Sequence, residues 1–101
     1  MNPAADSRLI KAKQLVVDYF NRHAEKTDDF ELTEDQVFVV WFCKTLQHWK
    51  ALVSTTIPDG MYYEVTYNGD KQESYIDAYK KFSNERVSDL DYEASIVRGL
   101  Y

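Results

Sequence analysis

The residues best suited to chemistry in this 101-residue chain are one cysteine and two histidines, Cys43, His48 and His23. A thiol beside an imidazole makes a nucleophile, because the ring can take the thiol proton. The spacing argues against that pairing here. His48 lies five residues beyond Cys43 and reads as a turn residue, so the two are expected on the order of 15 Å apart at ~3.3 Å per residue. Cys43 sits in the apolar run VFVVWFCKTL and reads as a small hydrophobe. His23, His48 and Cys43 lack ligand-like spacing, and without a second cysteine no zinc pattern closes. No catalytic residue, metal ligand or cofactor is expected.

The carboxylate pairs Asp28-Asp29, Glu34-Asp35 and Asp89-Asp91 could do acid/base work or hold a divalent cation. They lack the Asp-x-Asp-x-Asp-Gly spacing of a calcium loop and read as helix caps and solvated loops. The glycines of NGDK and PDG belong to ordinary turns, since neither segment has a phosphate-cradling pattern. A net charge of −5 and a pI near 4.9 argue against a nucleic-acid surface, which needs clustered Lys and Arg. One cysteine makes no intramolecular disulfide, and no apolar run approaches the roughly 20 residues of a bilayer span. A cytoplasmic protein with no membrane contact is the expectation.

The elements that would position these groups can be traced along the chain. Asp6 or Ser7 can cap a helix over residues 7–26, with Leu9, Ala12, Val16, Tyr19, Phe20 and His23 at helical spacing. After an acidic loop, Thr33 and Gln36 form a capping-box pattern that favours helix. Against it, Val37, Val39, Val40, Trp41 and Phe42 favour a strand, and a strand is predicted. Gln47-His48 reads as a two-residue turn, which pairs Phe42 with Val53 and Val40 with Thr55. Pro58, Asp59 and Gly60 suit a three-residue hairpin with Gly60 at a left-handed position. Strands one to three then occupy residues 37–67. Asp70 and Glu73 form a second capping box opening a helix over 71–85, with Tyr75, Ile76, Tyr79 and Phe82 on one face. The tail, 87–101, can hold a short helix capped by Asp89 or Asp91.

The expected fold is therefore a single α+β domain, a three-stranded antiparallel meander with two helices packed on one face (α-β-β-β-α). Phe38, Val40, Phe42, Val53 and Val65 would share the buried face. Strand one would then turn Val37, Val39, Trp41 and Cys43 outward. Leaving such side chains in water forgoes roughly 1.5–3 kcal/mol each, so these four residues form the candidate interface. A homodimer is the expected cover, because the first strand is also an unpaired edge. The competing cover is the tail, with Leu90, Tyr92 and Ile96 laid over Trp41.

The runs from Trp41 to Lys50 and from Tyr62 to Lys80 carry a resemblance to a family of small uncharacterised proteins encoded by phages and prophages of Gram-positive bacteria. It extends roughly from the first helix to Phe82. The resemblance implies a phage or prophage accessory protein and transfers no site residue. Three functions follow as expectations. The leading one is a non-enzymatic protein that binds itself and a host or phage protein. The second is an acidic DNA mimic that blocks a host nucleic-acid-binding protein. The third, an enzyme acting on a small molecule, lacks convergent polar groups.

Overall fold

The computed structural model describes residues 6–24 and 30–97. The lead-in 1–5, the segment 25–29 with Asp28 and Asp29, and residues 98–101 lie outside them, as does the expected end of the first helix at Lys26. Helix α1 (Ser7–His23) is followed by strands β1 (Val37–Thr45), β2 (His48–Thr55), β3 (Met61–Asn68) and β4 (Glu73–Lys80), and then by helix α2 (Asp89–Val97). The strands form one antiparallel sheet in the order β1-β2-β3-β4. The fold class is α+β, with four strands where three were expected.

Helix α1 begins where expected. The Asp6 carboxylate accepts from the Arg8 backbone N–H at 2.9 Å and from its guanidinium at 2.8 Å. Those Arg8 hydrogen bonds hold its pKa down at about 2. Ala12 and Val16 are fully buried against the sheet, flanked by Leu15, Tyr19 and Phe20. Arg8 and Lys11 lie over the rings of Phe42 and Tyr67 at 5.4 and 4.4 Å, so cationic side chains close the rim of the core. The Asn21 amide bonds both backbone groups of Leu32, which brings that side chain to 1% exposure. The Thr33–Gln36 box then closes on a single 3-10 turn, Glu34–Gln36, before β1 starts. The helix and strand signals at this point are both honoured.

The β1–β2 turn is Leu46-Gln47, with Leu46 at φ 54, and Thr45 pairs with His48. This corrects the expected Gln47-His48 turn. Phe42 faces Ala51 and Lys44 faces Trp49. Between Val39 and Trp41 the register shifts, leaving Val40 as an extra residue. A one-residue slip exchanges the two faces of a strand. Below the bulge, Val37 and Val39 therefore point into the core, while Phe38 and Val40 point out. The predicted grouping of Phe38 and Val40 with Phe42 is overturned by this bulge. The core face carries the rows Val39–Val53–Tyr63–Ala78, Phe42–Ala51–Val65–Ile76 and Lys44–Trp49–Tyr67–Ser74. The rings of Phe42, Trp49 and Tyr67 pack in line at 5.8 and 5.4 Å.

The β2–β3 hairpin holds Gly60 at φ 72, the left-handed position its turn chemistry implied. Ser54 faces Tyr62 and Val53 faces Tyr63, which sets Tyr63 and Val65 on the core face beside Val53 and Ala51. The larger correction is β4, which stands where a helix over 71–85 was predicted. Asn68 Oδ1 accepts from the N–H groups of Asp70 and Lys71, and Gln72 at φ 53 returns the chain alongside β3. The Asp70 carboxylate, needed for a helix cap, is taken by the Gln47 amide and faces His48 Nε2 at 3.6 Å. Pairing with β3 satisfies a backbone edge that a helix would leave open.

The two hairpin turns at this end clasp one another. The Gly69 N–H donates to His48 Nδ1 at 3.1 Å. A Cβ on Gly69 would lie 2.2 Å from the Gln47 carbonyl oxygen, so the approach requires glycine. Among the described residues, α1 is the helix that packs on the sheet, where two were expected on one face. No described side chain of helix α2 belongs to the core, and its N–H at Asp91 is capped by Ser88 Oγ at 3.2 Å rather than by the predicted Asp89 or Asp91.

Urea unfolding should separate the two faces of β1. Phe42→Ala should cost about 3 kcal/mol, and Phe38→Ala less than about 1 kcal/mol; the reverse order would remove the bulge assignment. Gly69→Ala should destabilise by about 1–3 kcal/mol through overpacking against Gln47, and an unchanged midpoint would contradict the clasp. Burial, aided by the charges of Asp59 and Tyr19, pushes the Tyr63 phenol above its usual pKa. Its contribution is fully present below the unfolded value of about 10 and is lost as pH rises through the folded value. Tyr63→Phe should therefore flatten the fall in stability above about pH 10, and an unaltered alkaline limb would contradict it.

Candidate functional site

The face of the sheet opposite α1 is built from three cross-strand rows. They are Phe38–Ser54–Tyr62–Tyr79, Trp41–Leu52–Glu64–Asp77 and Cys43–Lys50–Thr66–Tyr75. The alternation of each strand aims these side chains away from the helix. The bulge adds Val40 to them. Phe38, Val40, Trp41, Tyr75 and Tyr79 retain between 42% (Trp41) and 53% (Tyr79) exposure. They stand in two groups, Phe38, Val40 and Trp41 on the outer strand β1 and Tyr75 and Tyr79 on the outer strand β4.

Of the predicted interface residues, Trp41 and Cys43 lie on this face and are exposed. Val37 and Val39 do not: the bulge turns them under α1, where Val37 is buried and Val39 packs on the core. Phe38, Val40, Tyr75 and Tyr79 take their place, four residues the sequence pattern assigned to the buried side. The tail, the competing cover, is described only as far as residue 97. Leu90, Tyr92 and Ile96 are exposed, and Trp41 remains open.

The face is polar along its middle. Lys50 Nζ pairs with Glu64 Oε1 at 3.1 Å. The Tyr75 hydroxyl donates to Glu73, and that bond with the nearby carboxylate charge raises the phenol's pKa. Ser54, buried between rings, donates to the Met61 carbonyl at 3.0 Å. A depression of about 330 Å³ opens near the β1–β2 turn, with Trp41, Cys43, Thr45, His48, Lys50 and Thr66 among its lining.

Cys43 and His48 thus share a depression, which corrects the expected 15 Å separation. Cys43 pairs with Lys50 and Thr45 with His48, so the hairpin brings thiol and imidazole to diagonal positions. They still do not form a nucleophile and base. Nδ1 of His48 accepts from the Gly69 N–H, which leaves the proton on Nε2, turned toward Asp70. Neither nitrogen is free to take a thiol proton, and His48 acts as the pin of the turn clasp. His23 lies on α1 with Nδ1 2.8 Å from the Tyr19 carbonyl and its ring stacked on Tyr19. Among the described residues no cluster of three or more His, Cys, Asp or Glu is arranged to hold a metal ion. Nor is any described helix long and apolar enough to cross a membrane.

No curated protein and no solved structure matches this chain. One family model does, over residues 9–89, which run from the first turn of α1 to the start of α2 and include the whole sheet. The chain belongs to that family, the family of unknown function DUF6275.

Proposed function

We propose that the protein is a non-enzymatic interaction protein of the phage or prophage accessory type, acting in the cytoplasm by binding protein through the outer face of its sheet. A second copy of the chain is one partner, and a host or phage protein is another. The observation that carries this reading is the bare face itself. Phe38, Val40, Trp41, Tyr75 and Tyr79 stand half exposed on rigid strands, with no described element over them. Exposed aromatic side chains are what protein interfaces favour, and rings fixed on strands lose little entropy on binding.

The competing classes fit this surface less well. An enzyme needs reactive groups converging in a pocket, and the imidazole beside Cys43 is spent on the clasp. An acidic DNA mimic would draw on Glu64, Glu73 and Asp77 here. Glu64 is neutralised by Lys50, and aromatic rings separate the other two.

Trp41→Lys tests the face. Sedimentation of the unaltered chain should show self-association, and the variant should weaken it by about thirtyfold, the loss typical of a central tryptophan. Its urea midpoint should stay nearly unchanged, because Trp41 stands exposed on the face opposite the core. Association equal to that of the unaltered chain would remove the face as the binding surface.

A further inference from the structure

Strand β4 ends the sheet, and its outer backbone edge is open. The Lys81 N–H donates to the Gly60 carbonyl at 2.8 Å, so at that position the backbone points toward β3. Alternation along an antiparallel pair then turns the backbone groups of Ser74, Ile76, Ala78 and Lys80 the other way. Among the described residues, no backbone group meets them on that side. Sheet edges are usually blunted by a bulge, a proline or a very short strand. The other edge, β1, has its bulge at Val40. β4 has none of these: its eight residues, without proline, pair in unbroken register with Met61–Asn68. The order of its charges identifies an occupant. Glu73 and Asp77 precede Lys80 and Lys81, so in a chain of net charge −5 this segment is neutral, acidic toward one end and basic at the other. An antiparallel copy of the segment is therefore complementary to it.

We propose that two copies pair along β4, antiparallel about a two-fold axis at Asp77, which joins their four-stranded sheets into one. The outward N–H groups of one copy then meet the outward carbonyls of the other. On the outer face Glu73 of each copy stands opposite Lys81 of the other, and Tyr75 opposite Tyr79. On the core face Ile76, half-buried at the rim, gains Ala78 of the other copy as cover. These pairs outweigh the one like-charge contact, Asp77 with its symmetry mate, because single cross-strand pairs are of similar size. Moving the axis by one residue either way keeps the faces matched and loses both Glu73–Lys81 pairs. The axis is normal to the sheet, so Tyr75 and Tyr79 of both copies become one group of rings. The contact lies in the plane of the sheet and leaves Trp41 open, which separates it from the outer-face contact proposed above. Being mostly polar, it engages at higher concentration than the face, and the two contacts together join dimers into a tetramer of two-fold axes.

Light scattering of the full-length chain carrying Trp41→Lys, which disables the face, tests the edge across concentration. That chain should still dimerise. Adding Ala78→Pro should abolish the dimer, because proline there removes an outward N–H and leaves the β3 pairing intact. Adding Glu73→Lys or Lys81→Glu should each weaken association about tenfold. An equal mixture of those two should restore it as a heterodimer, in which both charge pairs are rebuilt. Circular dichroism melting checks that each variant is folded, and Glu73, Ala78 and Lys81 are all exposed. A Trp41→Lys chain that stays at 11.9 kDa throughout would overturn the edge pairing and leave the docking reading standing. Association indifferent to Ala78→Pro, or a mixture no stronger than its components, would also overturn the pairing. If Trp41→Lys associates as the unaltered chain does and the mixture recovers, the edge stands and the docking reading fails.

Discussion

A sheet has two faces, and helix α1 covers one of them. That constraint organises the molecule. The apolar stripe of α1, centred on Ala12 and Val16, is wide enough to cover the core face from Val37 to Ile76, and Arg8 and Lys11 extend it over Phe42 and Tyr67. Among the described residues, nothing comparable lies on the other side. The register bulge at Val40 decides which side chains that bare face receives. By adding one residue to β1 it buries Val37 and Val39 and releases Phe38. Bulges on edge strands commonly break the regular row of backbone groups that an edge offers for pairing. Here the bulge also gathers Phe38, Val40 and Trp41 on one surface.

What could be read from the sequence follows the same physics. Helix α1 was legible because Ala12, Val16, Tyr19 and Phe20 recur at one period only, with Asp6 ready as a cap. Gly60 was legible because Pro58-Asp59-Gly60 admits few backbone paths. The faces of β1 were not, since VFVVWFC is apolar at every position and a slip of one residue changes nothing in the pattern. Strand β4 was hidden for a related reason. Tyr75, Ile76 and Tyr79 satisfy a helical stripe as well as a strand, and Asp70 with Glu73 imitates a helix cap. Only the tertiary partners, Gln47 and His48 on Asp70 and the open edge of β3, decide between them. The same omission misplaced Cys43 and His48: counting along one strand ignores the turn that folds them back together.

The clasp between the two turns joins fold to site. His48 Nδ1 is held by the Gly69 N–H while Nε2 is turned toward Asp70, and Gly69 permits the contact by lacking a side chain. A group that looks catalytic in composition is thereby fixed as structure. The surface that results is stiff, aromatic and flanked by modest charge, with Lys50 and Glu64 neutralising one another across β2 and β3. Such a surface recognises shape and apolar contact more than charge.

The central claim is that protein covers the outer sheet face in solution. Static light scattering of the unmodified chain across concentration, combined with acrylamide quenching of its tryptophans, addresses it most directly. Trp49 is buried and Trp41 is open in the single chain, so quenching reports mainly on Trp41. The expected result is a mass of twice 11.9 kDa at micromolar concentration, with Trp41 losing its access to quencher as the dimer forms. A mass that stays at 11.9 kDa, with Trp41 equally accessible at every concentration, would contradict it.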